Sequence, residues 1–310
     1  MVTRAPDMSV AIGDLRLKNP VLAASGTFGY GEEFAPFLDL NRIGGFVTKG
    51  LSLRPREGNP PMRIVETPSG MLNAIGLQNV GVDRFVDEVL PRLRTYDTAV
   101  IANVFGETVE EYVGVCARLD GTEGVHALEL NVSCPNTASG GMSFGAEPDA
   151  LAEVTAAARA ATRLPLMVKL TPNVTHIGEM ARVAVEAGAD ALSLVNTFTG
   201  MTVDVESRRP TLANLRGGLS GPAIRPLALY MLYEVRRAVD VPLVGIGGIS
   251  SAEDALQFLI LGASAIQVGT ANFVAPDICE RIARDLETWC AEHDLGGIGE
   301  LVGTLVEGPG

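Results

Sequence analysis

Ala127-Leu128-Glu129-Leu130-Asn131-Val132-Ser133-Cys134-Pro135-Asn136 is the stretch whose reading decides the fold. Its first half is an apolar run of strand length that ends at the polar Asn131. Pro135 has no N–H and a fixed φ, so it stops a hydrogen-bond ladder and stiffens the loop that carries the Cys134 thiol. Downstream, Pro148–Ala161 repeats its apolar residues at helical spacing. The unit is therefore a strand, a loop bearing reactive groups, and a helix.

The same unit recurs along the chain. Short apolar runs that end in small or polar residues lie at Val21–Ala24, Gly45–Thr48, Ala99–Asn103, Ala127–Asn131, Leu166–Leu170, Ala191–Val195, Pro242–Ile246 and Ala265–Val268. Helical patterns lie between them, at Val82–Leu93, Val109–Leu119, Pro148–Ala161, Ile177–Ala187, Ile224–Val239 and Ala252–Leu261. Several helices close on glycine-bearing turns, such as Ala187-Gly188-Ala189-Asp190 and Leu261-Gly262-Ala263-Ser264. Strand–helix repeated eight times predicts an α/β protein of the (β/α)8 barrel class in one domain over residues 1–310, with an open doubly wound sheet as the rival. Ser9–Leu17 alternates around Gly13-Asp14, a hairpin signal suited to plugging the barrel bottom. Leu51–Gly81 and Phe198–Gly221 are long insertions rich in Gly, Pro and Arg. Both follow strand ends on the face where barrel chemistry sits.

Composition narrows the function classes. A net charge of −13 argues against a nucleic-acid partner or an anionic membrane surface. No basic-plus-apolar leader and no run of membrane-spanning length is present, which predicts a cytoplasmic, reduced protein. Cysteines at 116, 134, 279 and 290 form no C-x-x-C pair, and no His or carboxylate cluster has ligand spacing, so no metal site is expected.

The strand ends form a coherent set: Ser25-Gly26, Lys49-Gly50, Asn103, Asn131 with Cys134, Lys169, Asn196-Thr197, Gly247-Gly248 and Gly269-Thr270. Buried amides and ammoniums need partners, so a polar ligand is expected among them. Glu129, two residues before Asn131 on the same strand face, is the carboxylate available to pair either lysine inside the barrel. The glycines after the last two strands let backbone N–H groups approach a phosphate, and Ser250-x-x-Glu253 reads as a capping box for the next helix. Gly245-x-Gly247 is a poor dinucleotide fingerprint, because Ser250 stands where its third glycine belongs. His126 precedes its strand and points to the stability face; His176 and His293 read as solvated helix residues.

At these residues the chain closely resembles the class 1 dihydroorotate dehydrogenases, and most of all the catalytic subunit of class 1B. The resemblance runs from about Met8 to about Glu307. It is carried by Ser25-Gly26-Thr27-Phe28-Gly29-Tyr30-Gly31, Val47-Thr48-Lys49-Gly50, Asn73-Ala74-Ile75-Gly76-Leu77-Gln78-Asn79, Asn131–Asn136, Val168-Lys169-Leu170, Val195-Asn196-Thr197 and Ser220-Gly221-Pro222. It implies a (β/α)8 barrel that holds FMN and oxidises dihydroorotate to orotate in pyrimidine synthesis. By the same resemblance, Ser25, Lys49, Gly50, Asn103, Asn131, Lys169, Val195, Gly221, Gly247, Gly248, Gly269 and Thr270 contact the flavin. Lys49, Asn73, Ala74, Ile75, Gly76, Leu77, Asn131, Asn196 and Thr197 contact the substrate, and Cys134 is the base.

The implied chemistry removes a proton from C5 and a hydride from C6. A free thiol titrates near ~8.5, so activity is expected to rise with pH, and base catalysis of this kind is worth roughly a hundred- to ten-thousand-fold. The glycine-rich Ser139–Gly145 that follows is expected to act as a lid. The class 1B resemblance further implies a homodimer core within a heterotetramer, with a second subunit bearing FAD and a [2Fe–2S] cluster that passes electrons to NAD. The alternatives are a class 1A-like homodimer reducing fumarate, a barrel lyase or aldolase using Lys169, and a non-catalytic flavin-binding module.

Overall fold

The computed structural model describes residues 5–133, 135–136 and 142–308. Eight short parallel strands close on themselves in sequence order. They are β1 (Val21–Ala23), β2 (Gly45–Val47), β3 (Ala99–Val104), β4 (Ala127–Asn131), β5 (Leu166–Lys169), β6 (Ala191–Leu194), β7 (Leu243–Ile246) and β8 (Ala265–Val268). The ring closes where β8 pairs with β1, with Gln267 opposite Leu22 and Val268 opposite Ala23. The barrel reading is therefore correct and the open-sheet rival is excluded. Most strand residues are buried because helices cover the outside while side chains fill the inside.

The period of two along each strand sorts the residues into layers. Leu128 and Leu130 of β4 face outward into the core between sheet and helices. Ala127 faces inward and packs with Leu22, Ile101, Met167, Ala191, Val244 and Ala265 in a second, interior cluster. Val10–Ile12 and Leu15–Leu17 form the expected hairpin, with Ile12 opposite Leu15. Ile12, Leu15 and Leu17 belong to the interior cluster, so the hairpin seals the bottom of the barrel. Above that apolar layer, one step of two along β3, β4 and β8, lie Asn103, Glu129 and Gln267, all buried.

Two local expectations are corrected. The helix pattern over 82–93 is interrupted by a π-helical turn at Phe85–Val89, because Pro91 has no N–H to donate to the Asp87 carbonyl. The cap of the helix Ala252–Ile260 is Ser251, whose hydroxyl accepts from the Asp254 N–H at 3.1 Å; the pair Ser250 and Glu253 is displaced by one residue. Asp254 instead turns its carboxylate to accept from the Ser250 N–H and hydroxyl, and it pairs with Arg225.

The two insertions do not remain separate loops. Ile64–Thr67 and Gly70–Asn73 from the first join Phe198–Gly200 and Gly217–Ser220 from the second in one four-stranded antiparallel sheet. Gly218 lies opposite Asn73, and Leu219 opposite both Leu72 and Phe198. This sheet stands over the C-terminal end of the barrel.

Candidate active site

Between the barrel and that sheet lies a cavity of about 420 Å³, within the usual range for small-molecule sites. Its floor grows from the inward positions of the strands. Glu129 is fully buried and accepts on both oxygens. Oε1 accepts from Asn103 Nδ2 at 2.8 Å and lies 3.7 Å from Lys169 Nζ. Oε2 accepts from Ser193 Oγ at 2.8 Å and from Gln267 Nε2 at 2.6 Å. Lys169 also donates to Ser25 Oγ at 3.3 Å, which ties β5 to the end of β1. Glu129 is thus the partner of Lys169, whereas Lys49 makes no ion pair among the described residues.

One wall is built from amides. Asn196 Nδ2 donates to Asn131 Oδ1 at 3.0 Å and to Ser133 Oγ at 2.9 Å, while Asn196 Oδ1 accepts from the Thr197 N–H. The Tyr112 hydroxyl holds the Asn131 carbonyl at 2.7 Å from the helix side. With its oxygen engaged, Asn131 has its amide N–H groups left for a ligand. Across the cavity, Asn73 Nδ2 donates to the Gly218 carbonyl at 3.3 Å. Gly218 leaves room for Thr197, since a Cβ there would fall 2.1 Å from Thr197 Oγ1.

A cationic corner completes the mouth. Lys49 is half-buried, and burial pushes its ammonium below the ordinary lysine value; neighbouring Arg63 adds to that effect and Glu33 opposes it. Arg63 is itself aimed by bonds to Gln78 Oε1 at 2.7 Å and the Asn59 carbonyl at 3.2 Å. Two cations at one corner suit an anionic group on the ligand.

The opposite end is lined with glycine. Gly248 has φ +70° and a Cβ there would meet the Gly221 carbonyl at 2.8 Å; Gly221 has φ +99° and would meet Gly70 Cα at 2.7 Å. Only glycine permits both the left-handed backbone and the close approach. Among the described residues, the N–H groups of Gly248, Gly269 and Thr270 find no acceptor. Such donors at strand ends suit a phosphate.

Every residue that the resemblance assigns to flavin or substrate lines this one cavity: Ser25, Lys49, Gly50, Asn73 through Leu77, Asn103, Asn131, Lys169, Val195, Asn196, Thr197, Gly221, Gly247, Gly248, Gly269 and Thr270. Cys134 and Ser139–Gly141 lie outside the described residues. Among the described residues nearby is a short antiparallel pairing in which Met142 lies opposite Asn136 and Ser143 opposite Pro135. The Ser143 hydroxyl and the Gly145 N–H both donate to the Val132 carbonyl, at 2.8 and 2.7 Å. His126 accepts the Val100 N–H on Nδ1 at 3.0 Å, away from the cavity lining. Sequence reasoning gave no role to Arg63 or Gln78, because Arg63 is one of three arginines in the first insertion and nothing local distinguishes it from Arg54 and Arg56. It also missed the acceptor role of Glu129 towards Asn103, Ser193 and Gln267. Among the described residues no cluster of His, Cys, Asp or Glu could hold a metal, and no helix is long and apolar enough to cross a membrane.

Comparison with known proteins gives one consistent answer. The dihydroorotate dehydrogenase family model matches residues 7–289. Relatives named dihydroorotate dehydrogenase B (NAD(+)), catalytic subunit, include that of Trichlorobacter lovleyi, 59% identical over 300 residues that span 97% of this chain and 99% of the relative. The Pelobacter propionicus protein of that name is 57% identical over the same shares, and the Geotalea uraniireducens protein is 56% identical over 301 residues, again 97% and 99%.

Proposed function

Because the chain belongs to the dihydroorotate dehydrogenase family, we propose that it is the catalytic subunit of an NAD-linked enzyme that oxidises (S)-dihydroorotate to orotate in pyrimidine biosynthesis. The observation that carries this reading is the union, in one cavity, of a glycine-lined phosphate seat, a lysine held at the barrel floor, four asparagines and a cationic corner. The reading takes FMN as the resident cofactor. Unpartnered backbone N–H groups fit its phosphate, and Lys169 with Asn103 fits the polar edge of its ring. When bound, FMN supplies the acceptor for the hydride that leaves C6.

The chain's own residues then bind and orient the substrate and move its proton. Lys49, with Arg63 beside it, meets the substrate carboxylate and fixes the ring in the plane of the cavity. Asn73, Asn131 and Asn196 are the amides that meet the carbonyl and N–H groups of the ring, Asn196 through the second lone pair of its oxygen. Cys134, which follows the last residue of β4 by three positions in the sequence, is the proposed base for the C5 proton, and it must be deprotonated to act. Residues 51–81 and 198–221 form the sheet above the cavity and exclude water there.

For the electrons, the reading follows the relatives' names, which include both NAD(+) and a catalytic subunit. A second subunit with FAD and a [2Fe–2S] cluster would carry them onward, around a homodimer core in a cytoplasmic heterotetramer. The fumarate-linked homodimer gains no support from those names. A Schiff-base lyase is disfavoured because Lys169 is paired with buried Glu129, and an imine needs an uncharged amine.

Anaerobic mixing with dihydroorotate tests the reading. The purified protein should be yellow and should bleach; Cys134→Ala should keep its flavin but bleach roughly a hundredfold or more slowly. Equal rates would remove Cys134 as the base. A colourless protein trapped by borohydride with a carbonyl substrate would overturn the flavin reading altogether.

A further inference from the structure

Glu129 is set back from the cavity, and neither composition nor spacing assigned it more than the pairing of a lysine. Its environment is unusual. A carboxylate that is 0% exposed sits at the centre of the barrel and takes donors from four other strands. Desolvating a charge at this depth is costly unless every acceptor position is used. Here Asn103, Lys169, Ser193 and Gln267 fill both oxygens. Such a network specifies more than packing, because it decides which way each partner turns.

The consequence falls on Asn103. An amide can present either its oxygen or its NH2 to a ligand. With Nδ2 donating to Glu129, the oxygen of Asn103 is turned to the cavity wall, where a Cβ on Gly50 would stand 3.0 Å from it. Were the amide reversed, its oxygen would face the carboxylate. Beside it, Lys169 presents only donors. The floor therefore offers one acceptor next to one donor, in a fixed order.

We propose that Glu129 is a positioning residue that sets this polarity, so that the cavity floor selects a ring edge of imide type, with an N–H flanked by carbonyl acceptors. The inference rests on the flavin reading, since the pyrimidine edge of an isoalloxazine is such an imide. Asn103 Oδ1 receives the imide N–H and Lys169 donates to a neighbouring acceptor. Glu129 acts only through these two side chains.

Apoprotein titrated with FMN and with N3-methyl-FMN, which lacks the imide N–H, tests it by fluorescence. Wild type should prefer FMN by about tenfold or more, the worth of one charge-supported hydrogen bond. Glu129→Leu removes the acceptor that holds the Asn103 amide, and the preference should fall to near one. A merely structural role for Glu129 would weaken both flavins alike and leave their ratio intact. Asn103→Ala keeps Glu129 in place and should also abolish the preference, which preserves the test if Glu129→Leu does not fold. A preference retained in either variant overturns the inference while leaving the flavin reading standing. Wild type that binds neither flavin overturns both.

Discussion

At the scale of single residues, the site is governed by how few of its polar groups are free to choose. Asn196 has its oxygen and its NH2 engaged, Asn131 its oxygen, and Asn103 its NH2. Each remaining group therefore points to the ligand with a known sense of donation. Lys49 differs in being held, among the described residues, by no ion pair. Burial and the nearby Arg63 lower its proton affinity, so it discharges at a lower pH than an ordinary lysine. The sign is then fixed: substrate affinity that depends on the ammonium should decline on the alkaline side, before the ordinary value of 10.5 is reached. A pH profile of KM for dihydroorotate should show that rise, and Lys49→Arg should move it to higher pH. Lys49→Ala should raise KM roughly ten- to a hundredfold, the usual range for a hydrogen bond to a charged group. A flat alkaline limb in wild type would argue that Lys49 does not meet the carboxylate.

At the scale of elements, two additions to the barrel have opposite jobs. The hairpin Val10–Ile12 with Leu15–Leu17 is a plug, because Ile12, Leu15 and Leu17 fill space that the small inward residues Ala99, Ala127, Ala191 and Ala265 leave open. Leu17→Ala should cost about 2–5 kcal/mol in stability, read by denaturant or thermal unfolding, while flavin content of the folded protein stays unchanged. Loss of flavin without loss of stability would show that the hairpin shapes the floor as well. The second addition is the sheet over the mouth. Its strands come from insertions more than a hundred residues apart, and glycines at 70 and 217 let their backbones approach. Nothing in either insertion alone displays that partnership, because a strand is legible only with its ladder.

At the scale of the whole molecule, the chain brings a catalytic cavity but, among its described residues, no cluster for a metal or an iron–sulfur centre. Purified alone, it should oxidise dihydroorotate with an artificial dye and leave NAD unreduced until a second subunit is added; NAD reduction by this chain alone would refute the division of labour. The sequence by itself determined the barrel, its eight strands and the plug, and it placed many of the residues that line the cavity at strand ends. Those features repeat with a fixed period or fall at strand ends, and parallel strands wound in order bring all C-terminal ends together. Tertiary structure alone decided three matters. The insertions pair with each other, Arg63 joins Lys49, and Glu129 serves four donors from four strands. The physical reason is common to all three. Each contact joins groups distant in sequence, and only the packing of the whole chain, which no local pattern encodes, decides which of them meet.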